Sequence, residues 1–304
     1  DVVMDAMMRL NDRIAGTHQV GGVDYGFREL DGKTAGLHNS ELVILAARPS
    51  MGKTALAMNI AENVALQQNV PVLFVSLEMS SLELADRLLC SVARVNGHRL
   101  RNGTVSQDDR LKLVEKAEVL SKIPLFVDDS PSRTMTEIAA AARRVKRRQG
   151  SLGLIVIDYL QLIEPDNSKD PRQEQVAKIA RRLKGLAREM KVPVLCLAQL
   201  NRQAEASGGN IPRLSHLRES GAIEQDADVV MFVHREEYYQ RGEDRAAHEG
   251  QAQIIIAKQR NGPVGEVELE WLRDFTRFQD KVPERLKEFD QYNDRQMVDP
   301  AAGF

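Results

Sequence analysis

The chain lacks three things that would each have directed its reading elsewhere. It has only two cysteines in 304 residues, Cys90 and Cys196. Cys90 lies in a helical pattern and Cys196 in an apolar run, neither with metal-ligand spacing, so both read as small buried hydrophobes in a reducing compartment. It lacks an excess of one charge: the formal net charge is −2. There is therefore no global basic footprint, and any nucleic-acid binding must come from a local patch or from loops gathered by oligomerisation. It also lacks any apolar stretch near the roughly 18 residues of a membrane span, and no signal peptide opens it. A cytoplasmic protein with no membrane partner is expected. Internal repeats and low-complexity tracts are missing too. A hydrophobic fraction of 42% and a charged fraction of 28% suit a globular chain, long enough for one large domain or two small ones. The first residue is Asp1 rather than Met, which suggests a piece of a longer protein.

The most informative stretch runs from Glu41 to Glu62, ELVILAARPSMGKTALAMNIAE. An apolar run predicts a strand, a loop of small residues ends in Gly-Lys-Thr, and an Ala-rich helical pattern follows. Strand, loop and helix in that order are the context in which a P-loop motif binds phosphate. Backbone N–H groups of Ser50, Met51, Gly52, Lys53, Thr54 and Ala55 would face phosphate oxygens at a helix N-terminus. Lys53 would reach the β- and γ-phosphates, and the Thr54 hydroxyl would hold Mg²⁺. The motif departs from its usual form at Ala47, where glycine is expected, so the backbone there must be one that alanine tolerates. An ordinary strand-to-helix turn that happens to contain GKT is the bland alternative.

The rest of the chain alternates. Val2, Val3, Ala6, Met7, Leu10 and Ile14 recur at helical spacing and predict an amphipathic helix, followed by a glycine-rich linker. Strands are expected at Pro71–Leu77, Pro124–Val127, Leu152–Ile157 and Val192–Ala198. Capping-box spacings at Ser80/Glu83 and Thr134/Glu137 start helices, and Ser106–Ile123 and the region after Val176 read as amphipathic helices. The basic run Arg143–Arg148 reads as solvated cations at a helix C-terminus. Glu164–Gln175 reads as a mobile loop. Asn201–Gln225 reads as a long functional or disordered segment. Later strands at Asp228–Val233, Gln251–Ala257 and Val264–Trp271, the last two joined at Asn261-Gly262-Pro263, add an antiparallel edge. The expected fold class is α/β, a mostly parallel sheet with helices on both faces. The expected boundaries are a linker helix and linker over 1–20, the main domain over 21–280 and a C-terminal tail over 281–304.

Ligands in such sheets bind at the carboxyl ends of the strands. Four strand ends here carry polar residues: the P-loop, Glu78, Asp158 and Gln199. Nucleotide hydrolysis needs this set: an acid to order the metal shell (Asp158), a carboxylate to polarise water (Glu78) and an amide to sense the γ-phosphate (Gln199). Any one alone reads as a solvated strand-end residue.

The segments VILAARPSMGKTALAMNIA, FVSLEMS, LIVIDYLQLI, LAQLNR, LRESGAIEQDADVV and IIIAKQRNGPVGEVEL together resemble the bacterial replicative DNA helicase (DnaB) family, in the family's order, over roughly residues 21–279. That family tolerates Ala at the first P-loop position. The resemblance implies a RecA-like ATPase core, a homohexameric ring, and ATP with Mg²⁺ bound between subunits. It assigns Lys53 and Thr54 to phosphate and Mg²⁺, Glu78 to catalysis, Asp158 to the Mg²⁺ shell and Gln199 to sensing. Lys258 and Arg260 match the pair that reaches the neighbour's ATP, although by themselves they read as a solvated pair beside a hairpin. Arg218, Glu219 and Gly221 match the loop that tracks single-stranded DNA; that loop has few aromatics, so base stacking is not implied. Lys169 and Arg172 match more weakly as further channel residues. The family moves 5′ to 3′ and normally carries an N-terminal domain that receives primase, and a helicase loader belongs to the longer protein. Three alternatives stand beside this reading. They are a RecA-type recombinase or clock-type ATPase on the same core, a non-catalytic nucleotide-dependent DNA-binding ring module, and a small-molecule phosphotransferase.

Overall fold

The computed structural model describes residues 22–200, 211–240 and 242–281, with Met4 and Met7 of the opening segment. The expected linker helix, apart from those two helical methionines, and the expected tail, apart from Lys281, lie outside the described residues.

The chain begins with a small antiparallel pair, β1 (Gly22–Val23) and β2 (Leu37–His38), with α1 (Arg28–Thr34) between them. Then come β3 (Leu42–Ala47), α2 (Lys53–Glu62), β4 (Val72–Ser76), α3 (Ser81–Ala93), α4 (Gly97–Arg101), α5 (Gln107–Leu120), β5 (Leu125–Asp128), α6 (Met135–Gln149), β6 (Leu154–Asp158), α7 (Arg172–Met190) and β7 (Val194–Gln199). Further along follow α8 (Gly221–Asp226), β8 (Val229–His234), α9 (Glu243–Ala247), β9 (Gln251–Gln259), β10 (Gly265–Leu272) and β11 (Arg277–Asp280). Nine strands form one sheet in the order β11-β10-β9-β8-β3-β7-β6-β4-β5. The six strands from β8 to β5 run parallel, and β9, β10 and β11 are antiparallel. The α/β expectation holds, including the antiparallel edge.

Strand periodicity explains the layering. Side chains alternate between the two faces of a strand. In β3, Val43, Leu45 and Ala47 join an apolar cluster with α1, α2 and α3. Leu42, Ile44 and Ala46 join a second cluster with α6, α7 and Ile223 of α8. All six are buried, as a parallel strand covered on both faces must be. Both expected capping boxes form: Ser80 with Glu83 opens α3, and Thr134 with Glu137 opens α6. The basic run ends α6 on a left-handed Gly150, with Arg143 paired to Glu189 and Lys146 donating to the Met190 carbonyl.

Two expectations are corrected. Helix α5 forms, but of its residues only Leu113 is fully buried, with Leu120 packed half-buried against the core, while Leu111 and Val114 are exposed; its apolar residues are not confined to the packed face. The segment expected as mobile over 164–175 ends at Pro171, where α7 begins, and Gln175 donates to the carbonyls of Ser168 and Asp170 to hold it closed. Of the segment expected to be functional or disordered, 201–210 lies outside the described residues, and the remainder carries a 3₁₀ segment, Leu214–Ser220, leading into α8. Among the described residues no helix is long and apolar enough to cross a membrane.

No sequence pattern announces strand β11. Its Arg277 donates to both carboxylate oxygens of Glu62 (3.0 and 2.8 Å) and to Ser91 Oγ (3.1 Å), and Phe278 N donates to the Asn59 side-chain oxygen (2.9 Å). These contacts seal β11 onto α2 and α3. Glu62 is 3% exposed, so removing its counter-ion strands a buried charge. Arg277→Ala should cost roughly 3–5 kcal/mol, and adding Glu62→Gln should restore much of it. Urea midpoints of the two variants check this; equal loss in the single and double variants would contradict it.

Candidate functional site

Strand β3 sits between β7 and β8, and its last residue, Ala47, is level with Gln199 on one side and Val233 on the other. Ala47 is thus still inside the ladder, extended and buried, so no glycine is needed there. The loop turns sharply only afterwards. Ser50 has φ 66° and Gly52 has φ 93°. At Gly52 a side chain is excluded twice over. The backbone is left-handed, and a Cβ would come within 2.9 Å of Phe278 Cζ and 3.4 Å of Trp271. Arg235, from the end of β8, backs the loop as well. Its Nη1 donates to the Ser50 carbonyl (3.4 Å), its guanidinium lies 4.7 Å over the Trp271 ring, and its Nε donates to Glu237 Oε1 (3.0 Å). Gly52 starts α2 with no side-chain cap, which leaves the first N–H groups of the helix for an external acceptor.

Three of the expected residues meet directly here. The Thr54 hydroxyl donates to Asp158 Oδ2 at 2.7 Å, and Lys53 Nζ stands 3.8 Å from Asp158 Oδ1. Asp158 is 1% exposed, and its Oδ1 accepts no hydrogen bond among the described residues. A buried carboxylate oxygen left open beside a hydroxyl is a hard-oxygen pair of the kind Mg²⁺ takes. Lys53 Nζ also lies 4.4 Å over the Tyr159 ring. Burial pulls the Lys53 ammonium below the usual lysine range, against the opposing pull of the Asp158 and Glu78 charges. Burial pushes the Asp158 carboxyl up, with Lys53 and Thr54 acting the other way.

Glu78 lies two residues beyond the end of β4. Leu77 N donates to the Asp158 carbonyl (2.7 Å), and Ser76 Oγ donates to the Met79 carbonyl (2.6 Å). This turn leaves Glu78 exposed at the mouth of the site, where its charge acts on Lys53, Asp158 and Tyr159. Gln199, also exposed, is clamped through its backbone: Gln161 Nε2 donates to its carbonyl (3.1 Å), and its N–H donates to Gln161 Oε1 (3.2 Å). Arg172 does not stand in a loop. It donates to the Gln161 carbonyl (2.6 Å) and to Gln175 (3.1 Å), bracing the residue that holds Gln199. Lys169 is exposed.

Lys258 and Arg260 are elsewhere. Strand β9 is antiparallel to β8, and Gln259 is level with Val229 and Val43, four residues from the Ala47 rung. That separation is about 13 Å along the sheet, towards the end opposite the P-loop. Lys258 Nζ donates to the carbonyls of Ala227 (2.7 Å) and Glu224, closing the C-terminus of α8. Burial holds its ammonium below the usual range, as does the charge of Arg260. Arg260 Nη1 lies 3.4 Å from Asp228 and its side chain is 52% exposed. Arg218 and Glu219 fall in the 3₁₀ segment and Gly221 opens α8; only the backbone of Arg218 and Glu219 is described. A Cβ at Gly221 would meet nothing within 4 Å among the described residues.

Sequence reasoning missed Tyr159, Gln161, Arg235 and Phe278. The first two follow Asp158 in IDYLQ and were within reach of the strand-end argument. Arg235 and Phe278 act through space on the back of the loop, and no local pattern marks them.

Residues 22–280 match the family described as DnaB-like helicase C terminal domain. The chain is 44% identical over 281 residues to replicative DNA helicase DnaB of Geobacillus stearothermophilus, covering 91% of this chain and 61% of that protein. It is 46% identical over 277 residues to replicative DNA helicase DnaB of Haemophilus influenzae, covering 90% and 58%. The chain therefore spans about three fifths of the curated relatives it matches. Among solved structures, one described as an ATPase domain superimposes with a TM-score of 0.85 at 35% identity, covering 92% of this chain and 99% of that one. A DnaB-like replicative helicase, solved for its interactions with primase, superimposes at 0.84 and 35% identity, covering 91% and 66%.

The two opposed titrations set a pH window for anion binding. Affinity for a phosphate ligand should fall as pH rises through the lowered value of Lys53. Its Mg²⁺-dependent part should fall as pH drops through the raised value of Asp158. Equilibrium nucleotide binding across pH, with and without Mg²⁺, measures both limbs; flat binding across the range would contradict the assignment.

Proposed function

The chain belongs to the DnaB-like helicase C-terminal domain family, and on that footing we propose that it is an ATP-driven motor of DNA replication. It hydrolyses ATP and translocates 5′ to 3′ along single-stranded DNA, separating the strands as part of a homohexameric ring. The observation that carries the reading is the convergence of Lys53, Thr54 and Asp158, with Glu78 and Gln199 at neighbouring strand ends, around an uncapped helix N-terminus.

In this reading the backbone N–H groups from Ser50 to Ala55 and the Lys53 ammonium hold the phosphates. Thr54 and Asp158 would hold Mg²⁺, which when bound offsets negative charge on the β- and γ-phosphates. A bound polyanion favours the charged form of Lys53 and so opposes the lowering by burial. Glu78, exposed at the mouth, accepts the proton of the attacking water. Gln199, fixed by Gln161, faces the γ-phosphate position and reports its loss to the segment that follows β7.

Arg260 and Lys258 lie too far along the sheet to serve their own P-loop, so in a ring they serve the next subunit's site. Arg260, half exposed, presents its guanidinium there. Lys258 must first leave the α8 carbonyls it closes in this chain. That release would link the neighbour's phosphate to α8 and hence to Arg218, Glu219 and Gly221, the proposed contact with DNA phosphates. Among the described residues nothing crowds Gly221 or requires glycine there, which suits close approach of a strand backbone. Primase and a helicase loader are proposed partners of the longer protein, and residues 1–20 its linker. A RecA-type recombinase and a non-catalytic ATP clamp are the competing readings; strand separation without strand exchange would exclude the first, and DNA-stimulated turnover would exclude the second.

Lys53→Ala should abolish ATP turnover, and Glu78→Gln should lower it by about 10²–10⁴-fold while leaving nucleotide binding intact. Steady-state hydrolysis alongside equilibrium nucleotide binding checks both. Parental turnover in Lys53→Ala would overturn the site, and loss of binding in Glu78→Gln would remove Glu78 from the chemical step.

A further inference from the structure

Asp228 is 3% exposed and lies at the start of β8, at the far end of the sheet from the P-loop. Its Oδ2 accepts from Leu42 N (2.8 Å) and from Lys184 Nζ, and its Oδ1 faces Arg260 Nη1 at 3.4 Å. Its backbone is engaged as well: its N–H donates to the Leu42 carbonyl (2.9 Å), and its carbonyl accepts from Arg260 N (2.8 Å). Lys184, from α7, also donates to the Ser40 carbonyl (2.8 Å). Lys258 reaches the carbonyl of Ala227, one residue before Asp228 (2.7 Å). One buried carboxylate therefore joins the first residue of the P-loop strand, a lysine of α7 and the arginine that the proposed function sends to the next subunit.

We propose that Asp228 is a positioning residue for Arg260, aiming its guanidinium at the neighbouring subunit's nucleotide and tying it to the strand that ends in this subunit's own P-loop. The inference rests on the proposed trans role of Arg260. The physical reason is entropic. A long, half-exposed arginine samples many rotamers, and ordering such a side chain on binding costs about 0.5–1.5 kcal/mol. Asp228 holds Arg260 beforehand at two points: its carbonyl accepts from the Arg260 backbone N–H, and its carboxylate pairs with the guanidinium. The anchor is itself rigid, because Lys184 neutralises it and Leu42 N–H pins its second oxygen. Strand β3 thus carries one half-site at each end, the P-loop at its C-terminus and the base of Arg260 at its N-terminus.

A purely local role for Asp228 would damage the subunit that carries the change; a positioning role damages the neighbour. Subunit mixing separates them in the full-length protein. Homogeneous Asp228→Asn should bind nucleotide within about twofold of the parent and turn it over roughly 10²-fold more slowly, the scale of a misplaced catalytic group. Mixed in equal parts with Lys53→Ala subunits, it should regain activity. About one interface in four then pairs an intact P-loop from the Asp228→Asn chain with a correctly held Arg260 from the Lys53→Ala chain, given head-to-tail ring contacts. Arg260→Ala mixed with Lys53→Ala is the control. If the control recovers and the Asp228→Asn mixture stays inactive, the positioning role is wrong while the trans role of Arg260 stands. If the control also fails, both fall. Asp228→Glu, which keeps the charge for Lys184 but shifts the carboxylate by one methylene, is read by the same mixing should Asp228→Asn fail to fold, and recovery is again the expected result.

Discussion

Everything chemical in this molecule hangs on one strand held rigidly in the middle of the sheet. β3 is buried along its whole length and hydrogen-bonded on both sides, to β7 and β8. Its C-terminal end releases the chain into a loop that must bend through Ser50 and Gly52 in left-handed conformations. Such a loop keeps its shape only if packed from behind. Trp271 and Phe278, 4.6 Å apart between ring centroids, and Arg235 do that packing. The antiparallel edge is therefore more than a lid on the sheet, since β10 and β11 brace the loop between β3 and α2.

The electrostatics follow from burial. Lys53 and Asp158 share a largely buried site in which burial moves each towards its neutral form. A site of this kind gains most when a polyanion and a divalent cation arrive together, because the polyanion favours the charged ammonium of Lys53 and the cation favours the ionised carboxylate of Asp158. Nucleotide triphosphate with Mg²⁺ is the ligand class with that composition. The net charge of −2 is no obstacle to DNA binding if the contact is one short loop repeated around a ring.

Much of this was legible in the sequence where signal and structure are local. The P-loop unit, both capping boxes and the strand-end residues Glu78, Asp158 and Gln199 all follow from short-range patterns, and the parallel order follows from alternation. What escaped is non-local. β11 is only four residues long, RFQD, with no alternation long enough to read; it exists because Arg277 and Phe278 find partners in α2 and α3. Arg172 reads as a loop cation in the sequence because the hydrogen bond that ties it to Gln161 spans a turn no local pattern predicts. Arg260 reads as a solvated hairpin residue, and only the register of β9 against β8 shows that it sits at the opposite end of the sheet from Lys53. Under the proposed function, the same register would let a single fold hold two halves of a site that never meet within one chain.

The central claim is that each chain carries two incomplete half-sites at opposite ends of one strand. It is tested most directly by measuring ATP hydrolysis per chain across a protein dilution series, with assembly mass determined in the same samples. Turnover per chain that vanishes with the assembled fraction is the outcome a shared site requires. The same turnover per chain in monomer and assembly would mean that one chain holds a complete site, and would contradict the claim.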